Sequence, residues 1–176
     1  MKKEGPSQGV EQMAETIADV VHPEEDLYER EGPKEETLQL IVFRLAREWY
    51  GVEIAKVKEV IKPVKITYLP SSPEHIAGIV SLRGNILSVT DLKTVFGLPH
   101  EEATEKTRVI PIESGILETG LLVDEVVDSI EVPVSKIEPA LFTLPDEGGK
   151  YIKGQCKVDN KLIALISVEK ILEKKG

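Results

Sequence analysis

The residues of this chain that could take part in covalent or metal chemistry are few. There is one cysteine, Cys156, and three histidines, His22, His75 and His100. A Ser, Thr or Cys nucleophile needs a base set beside it, and structural zinc sites need Cys and His at short, paired spacings. The histidines stand in no such spacing with one another or with Cys156, so neither a thiol active site nor a metal centre is expected. Neither the phosphate-cradling G-x-x-x-x-G-K-[ST] pattern nor G-x-G-x-x-G after a strand occurs. The adjacent carboxylates Asp124 and Glu125 follow an apolar run and read as a solvated strand end, with no partner group for acid–base work. What remains is an arginine at a turn, Arg83, flanked by Gly84. An arginine on an exposed turn can make forked, charge-assisted hydrogen bonds to a carboxylate or a carbonyl. It can equally be a solvated turn residue, and the local pattern leaves both readings open.

The element that positions Arg83 is the stretch from Ser72 to Gly97. Ile76, Gly78, Val80 and Leu82 alternate with their neighbours at the period of a half-buried strand. Gly84-Asn85 predicts a tight turn, because glycine takes the positive φ that such turns need. A return strand then sets Leu82 opposite Leu87 and Val80 opposite Val89. Asp91 is placed to cap a short helix from Leu92 to Phe96, and Gly97 to end it.

The same pattern recurs near the C-terminus. Ile76, Gly78, Val89 and Asp91 reappear as Ile152, Gly154, Leu165 and Ser167, an offset of 76 positions (154 less 78). A looser match aligns Gly51 and Val57 with Gly120 and Val126, offset 69 (120 less 51). One structural unit used twice is expected. Cys156 falls at the position that repeats Val80, an inward site, and is expected in a core. The hairpin tips differ: Arg83-Gly84 in one copy, Asp159-Asn160 in the other. A duplicated scaffold needs its core in both copies but a binding group only where a partner lies.

The composition narrows the class further. Net charge is −9, and residues 1–36 carry eleven Asp/Glu against four Lys/Arg, or −7 of it. So acidic a chain, with only three Phe, four Tyr and one Trp, is poorly suited to nucleic acid, which demands a positive footprint and stacking platforms. No apolar run approaches the 18 or so residues of a membrane span, and the opening residues lack a signal-peptide apolar region. A cytoplasmic protein without direct membrane insertion is expected. Residues 1–36 read as an acidic extension, mostly disordered with a possible short helix over 9–21; residues 37–176 read as the folded part. Many short strands with close turn signals predict an all-β fold of two small barrels side by side. Residues 55–61 fit strand or helix equally, and Val57 fits either a core position or an exposed apolar anchor.

On these residues the sequence resembles the CheW-like adaptors of chemotaxis arrays. The resemblance rests on YGVEIAKVKEVI (50–61), on the Pro-x-x-Ile-x-Gly…Leu-Arg-Gly…Asp-Leu series from Pro73 to Leu92, on GLLVDEVVDSI (120–130) and on YIKG (151–154). It implies two five-stranded SH3-like barrels and no enzymatic activity or cofactor. It implies as partners the regulatory domain of a CheA-type histidine kinase, engaged barrel to barrel, and the cytoplasmic tip of a chemoreceptor. On the same ground Ile54, Val57 and Glu59 are expected along the receptor contact, Arg83 in receptor and kinase coupling, and Gly78, Gly84 and Gly120 at sensitive positions. A CheW-like adaptor of another pathway, such as surface motility or development, is the alternative the resemblance allows.

Overall fold

The computed structural model describes residues 35–62, 65–140 and 148–175. The expected short helix over 9–21, and all of the acidic extension but its last two residues, lie outside them. Among the described residues nine strands follow in order: β1 (Thr37–Leu45), β2 (Glu48–Glu53), β3 (Ile76–Leu82), β4 (Asn85–Asp91), β5 (Arg108–Ser114), β6 (Leu117–Val123), β7 (Glu125–Pro133), β8 (Ile152–Val158) and β9 (Lys161–Ile166). Two short helices, α1 (Leu92–Phe96) and α2 (Val168–Lys175), follow β4 and β9. The fold is all-β, as expected. One sheet has the order β7-β1-β2-β9-β8 and the other β3-β4-β6-β5.

The second sheet becomes a five-stranded barrel through the segment after β2. Val57 and Ile61 bridge to Ile112 and Val109 on the β5 edge, and Thr67 bridges to Ile79 on the β3 edge. Val57, Ile61 and Thr67 thus hold the place of the fifth strand, in broken form, which settles the strand-or-helix ambiguity at 57–61; a 3-10 turn, Ile54–Lys56, precedes it. In the first sheet Glu138 closes onto Gln155 of β8 in the same manner.

The duplication is real in three dimensions, but each barrel draws on both copies. The parallel pairs are β2 with β9 (Gly51↔Leu165) and β4 with β6 (Val89↔Gly120). The leading hairpin of each copy therefore pairs with the closing hairpin of the other. Barrels built from consecutive halves of the chain would leave both parallel pairs unmade. Sequence periodicity shows which faces are apolar but carries no information on which distant strand lies alongside.

That exchange explains why the strands read as continuous apolar runs, since both faces of the central strands are covered. On β1, Leu40 and Val42 point into the first barrel with Cys156, Ile163 and Leu165. The alternate residues Ile41, Phe43 and Leu45 point between the barrels, where they meet Phe96, Ile110, Ile112, Leu121 and Ile171. Val80, Leu87, Val89 and Val109 fill the second barrel. Across the shared core, Phe43, Tyr50 and Phe96 stack with ring centroids 5.9 and 5.3 Å apart. Burial of each such side chain contributes about 1.5–3 kcal/mol, so the two barrels are held as one cooperative body.

The β3–β4 turn lies one position earlier than expected, which moves each cross-strand partner by two. Leu82 pairs with Asn85 and Val80 with Leu87, because the turn residues are Arg83 (φ 51°) and Gly84 (φ 83°). Two successive positive φ values give the turn whose twist matches a hairpin. The twin hairpin turns at Asp159 (φ 50°) and Asn160 (φ 64°). Asp91 caps α1 as expected, accepting from the N–H groups of Lys93 and Thr94 at 3.0 and 3.4 Å, and Gly97 ends it at φ 69°. Ser167 does the same for α2, accepting from Lys170 N–H at 3.3 Å.

Candidate functional interface

The segment after β2 and the β3–β4 turn bring Glu59 and Arg83 together. Hydrogen bonds from Lys58 N–H to Pro111 O (3.0 Å), and between Ile61 and Val109 in both directions (2.9 Å each), stitch that segment to β5. Glu59 is thereby held toward the hairpin tip. Arg83 donates from Nη1 to Glu59 Oε2 at 2.8 Å and from Nη2 to Oε1 at 3.0 Å, a two-pronged pair. Its side chain is 74% exposed against 28% for Glu59. The guanidinium is therefore oriented without being buried, which leaves its outer edge open to a partner. The pair borders a cavity of about 110 Å³ at the mouth of the second barrel, lined also by Lys58, Ile86, Pro111 and Glu118. Lys58 lies 3.1 Å from Glu118 and 3.6 Å from Glu113, and the hydrogen bond and charge of Glu118, with Glu113 behind, push the Lys58 ammonium above its ordinary value.

The other expected residues divide into those beside this mouth and those beneath it. Ile54 and Val57 are half-buried and pack on the core between the barrels. Val57 thus belongs to that core while keeping part of its side chain in solvent. Gly84 is the open turn itself, with no atom near its missing Cβ. Gly78 and Gly120 are structural supports. A Cβ on Gly78 would stand 2.3 Å from the Thr67 carbonyl, and one on Gly120 would meet Val109 Cγ1 at 2.6 Å inside the barrel. Lys58, Glu118 and Ile86 escaped the sequence reading. Only Ile86 left a signal there, as an apolar residue on the outward face of a hairpin, and it is 68% exposed.

The groups considered for chemistry lie elsewhere. Cys156 is buried in the first barrel, and burial pushes its thiol up, the opposite of an activated thiolate. Burial, aided by the charge of Lys174, holds His75 below its ordinary value, and its Nε2 is buried without a hydrogen-bond partner. Burial likewise holds the Tyr50 phenol far above its usual range. Among the described residues no group of three or more His, Cys, Asp or Glu is arranged to hold a metal. The reading of Asp124 as a solvated strand end is corrected. Asp124 accepts from Lys93 Nζ at 2.7 Å and from Ala46 N–H at 2.7 Å, and the Lys93 side chain is only 6% exposed. This pair fastens α1 to the β1–β2 turn, so it is an inter-barrel staple.

Among the described residues no helix is long and apolar enough to cross a membrane. Comparison with known proteins agrees with the fold. The chain is 31% identical over 158 residues to the chemotaxis protein CheW of Helicobacter pylori, covering 85% of this chain and 95% of that one. It is 33% identical over 138 residues to CheW of Bacillus subtilis, covering 78% and 88%. The crystal structure of the scaffolding protein TtCheW from Thermoanaerobacter tengcongensis superposes with a TM-score of 0.68 at 38% identity, over 74% of this chain and 89% of that one. The family model of the CheW-like domain matches residues 39–176. The chain belongs to the CheW-like family.

Proposed function

We propose that this protein is a non-catalytic adaptor of chemotaxis signalling, coupling the cytoplasmic tips of chemoreceptors to a CheA-type histidine kinase. It works in the cytoplasm, by position and without a reaction. One observation carries the reading: the exposed Arg83, oriented by Glu59 at a barrel mouth, in a chain whose relatives are chemotaxis and scaffolding proteins. An arginine fixed in this way has already lost much of its side-chain freedom. Less is therefore lost again when it meets a partner carboxylate or carbonyl. Val57 and Ile54 supply apolar surface on the same segment, and Gly78, Gly84 and Gly120 hold the hairpin and its barrel in shape. Barrel faces of this size can supply the roughly 800 Å² per partner of a specific interface.

Calorimetric titration with the regulatory domain of the CheA-type kinase from the same organism tests the reading. The expected result is saturable binding that Arg83→Glu weakens by about tenfold or more, with melting nearly unchanged, since an exposed ion pair is worth at most about 1 kcal/mol. Absence of binding to any such kinase would leave the family and remove the pathway.

A further inference from the structure

The Arg83 mouth holds more carboxylates than its two-pronged pair uses. Glu113 and Glu118 stand directly opposite each other on β5 and β6, an arrangement in which like charges destabilise a strand pair. Lys58 lies between them, donating from Nζ to Glu118 Oε1 at 3.1 Å and standing 3.6 Å from Glu113 Oε1. Its backbone is fixed there, because the Val57–Ile112 bridge and the hydrogen bond from Lys58 N–H to Pro111 O tie the segment to β5. Each of the three side chains is nearly half exposed. Among the described residues one ammonium thus serves two carboxylates, a net charge of −1 (+1 less 2). Lys58, Glu118 and Arg83 line the same cavity, so this surplus lies across a narrow gap from an exposed guanidinium.

Without Lys58 two consequences follow for Arg83. Glu118, left uncompensated, would compete with Glu59 for the guanidinium across the cavity. Both carboxylates would also repel any carboxylate approaching the outer edge of Arg83. Exposed charges of this kind add little to stability; their influence is on the rate and orientation of encounter. We propose that Lys58 is a positioning residue of the Arg83 contact. By bridging Glu113 and Glu118 it keeps the guanidinium on Glu59 and the mouth receptive to a carboxylate-bearing partner. The identity of that partner rests on the adaptor reading above, whereas the hold on Arg83 is a property of the free protein. The hydrogen bond and charge of Glu118 raise the Lys58 ammonium above its ordinary value, so the bridge persists through the neutral range. A lysine that only relieved repulsion between opposed glutamates would change the melting point and leave Arg83 and partner binding untouched.

Three variants of the full chain separate these roles: Lys58→Met, Lys58→Arg, and Lys58→Met combined with Glu113→Gln and Glu118→Gln. Stopped-flow association with the regulatory domain of the CheA-type kinase is followed at about 0.05 and 0.5 M salt. Lys58→Met should slow association about three- to tenfold at low salt, with the deficit shrinking at high salt. Lys58→Arg keeps the charge and should retain the parent rate, and the triple variant should recover it. In parallel, nitrogen-15 spectra of the free proteins read the two Arg83 Nη groups, which give separate signals while both are held on Glu59. Those signals should average in Lys58→Met and separate again in the triple variant. A parent that does not bind the kinase domain removes the adaptor reading and leaves the Arg83 signals to decide. Arg83 signals unchanged by Lys58→Met would overturn the proposal. So would a Lys58→Met protein that associates like the parent, or a triple variant as slow as Lys58→Met.

Discussion

Gly78→Ala puts the support of the Arg83 hairpin to a quantitative test. The alanine Cβ would stand 2.3 Å from the Thr67 carbonyl oxygen and 2.8 Å from Ile66 Cγ2, at a backbone φ of +153°. Thr67 cannot simply yield, because it exchanges two backbone hydrogen bonds with Ile79, at 2.8 and 2.9 Å, and these close the second barrel. Losing them costs about 1 kcal/mol each, and the backbone conformation adds about 1–3 kcal/mol. The sum, about 3–5 kcal/mol, is a large fraction of the roughly 5–15 kcal/mol of a typical domain. At about 2–4 °C per kcal/mol for a chain of this length, melting should fall by roughly 6–20 °C. Gly84→Ala is the control. It has a positive φ but open space, so it should cost only about 1–2 kcal/mol. Differential scanning calorimetry of both variants reads the difference. A Gly78→Ala protein melting within about 2 °C of the parent would refute the barrel-closure argument and return Gly78 to the list of contact residues.

Lys93→Met should destabilise by about 3 kcal/mol, because it leaves Asp124 part-buried without its cation. Lys56→Met, on the more exposed Lys56–Glu169 pair, should cost under about 1 kcal/mol; urea midpoints of the two check the contrast. The depressed pKa of His75 means the unfolded chain binds its proton first as pH falls below about 6.5. Stability should therefore be fully retained above about 6.5 and decline from there down to the folded value. Urea denaturation between pH 5 and 8 (about the range where histidine titrates) reads the decline, and His75→Gln should flatten it.

Local rules read well in this sequence. The cap at Asp91, the left-handed Gly97, the repeat of that hairpin and helix at residues 152–172, and the placement of Cys156 inside a barrel all follow from short-range pattern. Two features escaped because they depend on long-range geometry. The exchange of hairpins between copies is decided by Gly51 meeting Leu165 and Val89 meeting Gly120, contacts no periodicity encodes. The burial of Asp124 depends on Lys93, 31 residues earlier. The one-position error at the hairpin came from assigning positive φ to Gly84-Asn85, when arginine itself takes that conformation at 83. Of the site, Arg83 was legible and Glu59 was placed by resemblance. Their pairing was not foreseen, because nothing local says that residues 57–61 return along the β5 edge.

The adaptor role itself is best tested by reconstitution. Receptor-containing membranes and the CheA-type kinase of the same organism are combined, and kinase autophosphorylation is followed with and without this protein. Receptors should alter the kinase rate only when the protein is present, and Arg83→Glu should abolish most of that dependence. A kinase that responds to receptors equally well without the protein would contradict the adaptor role.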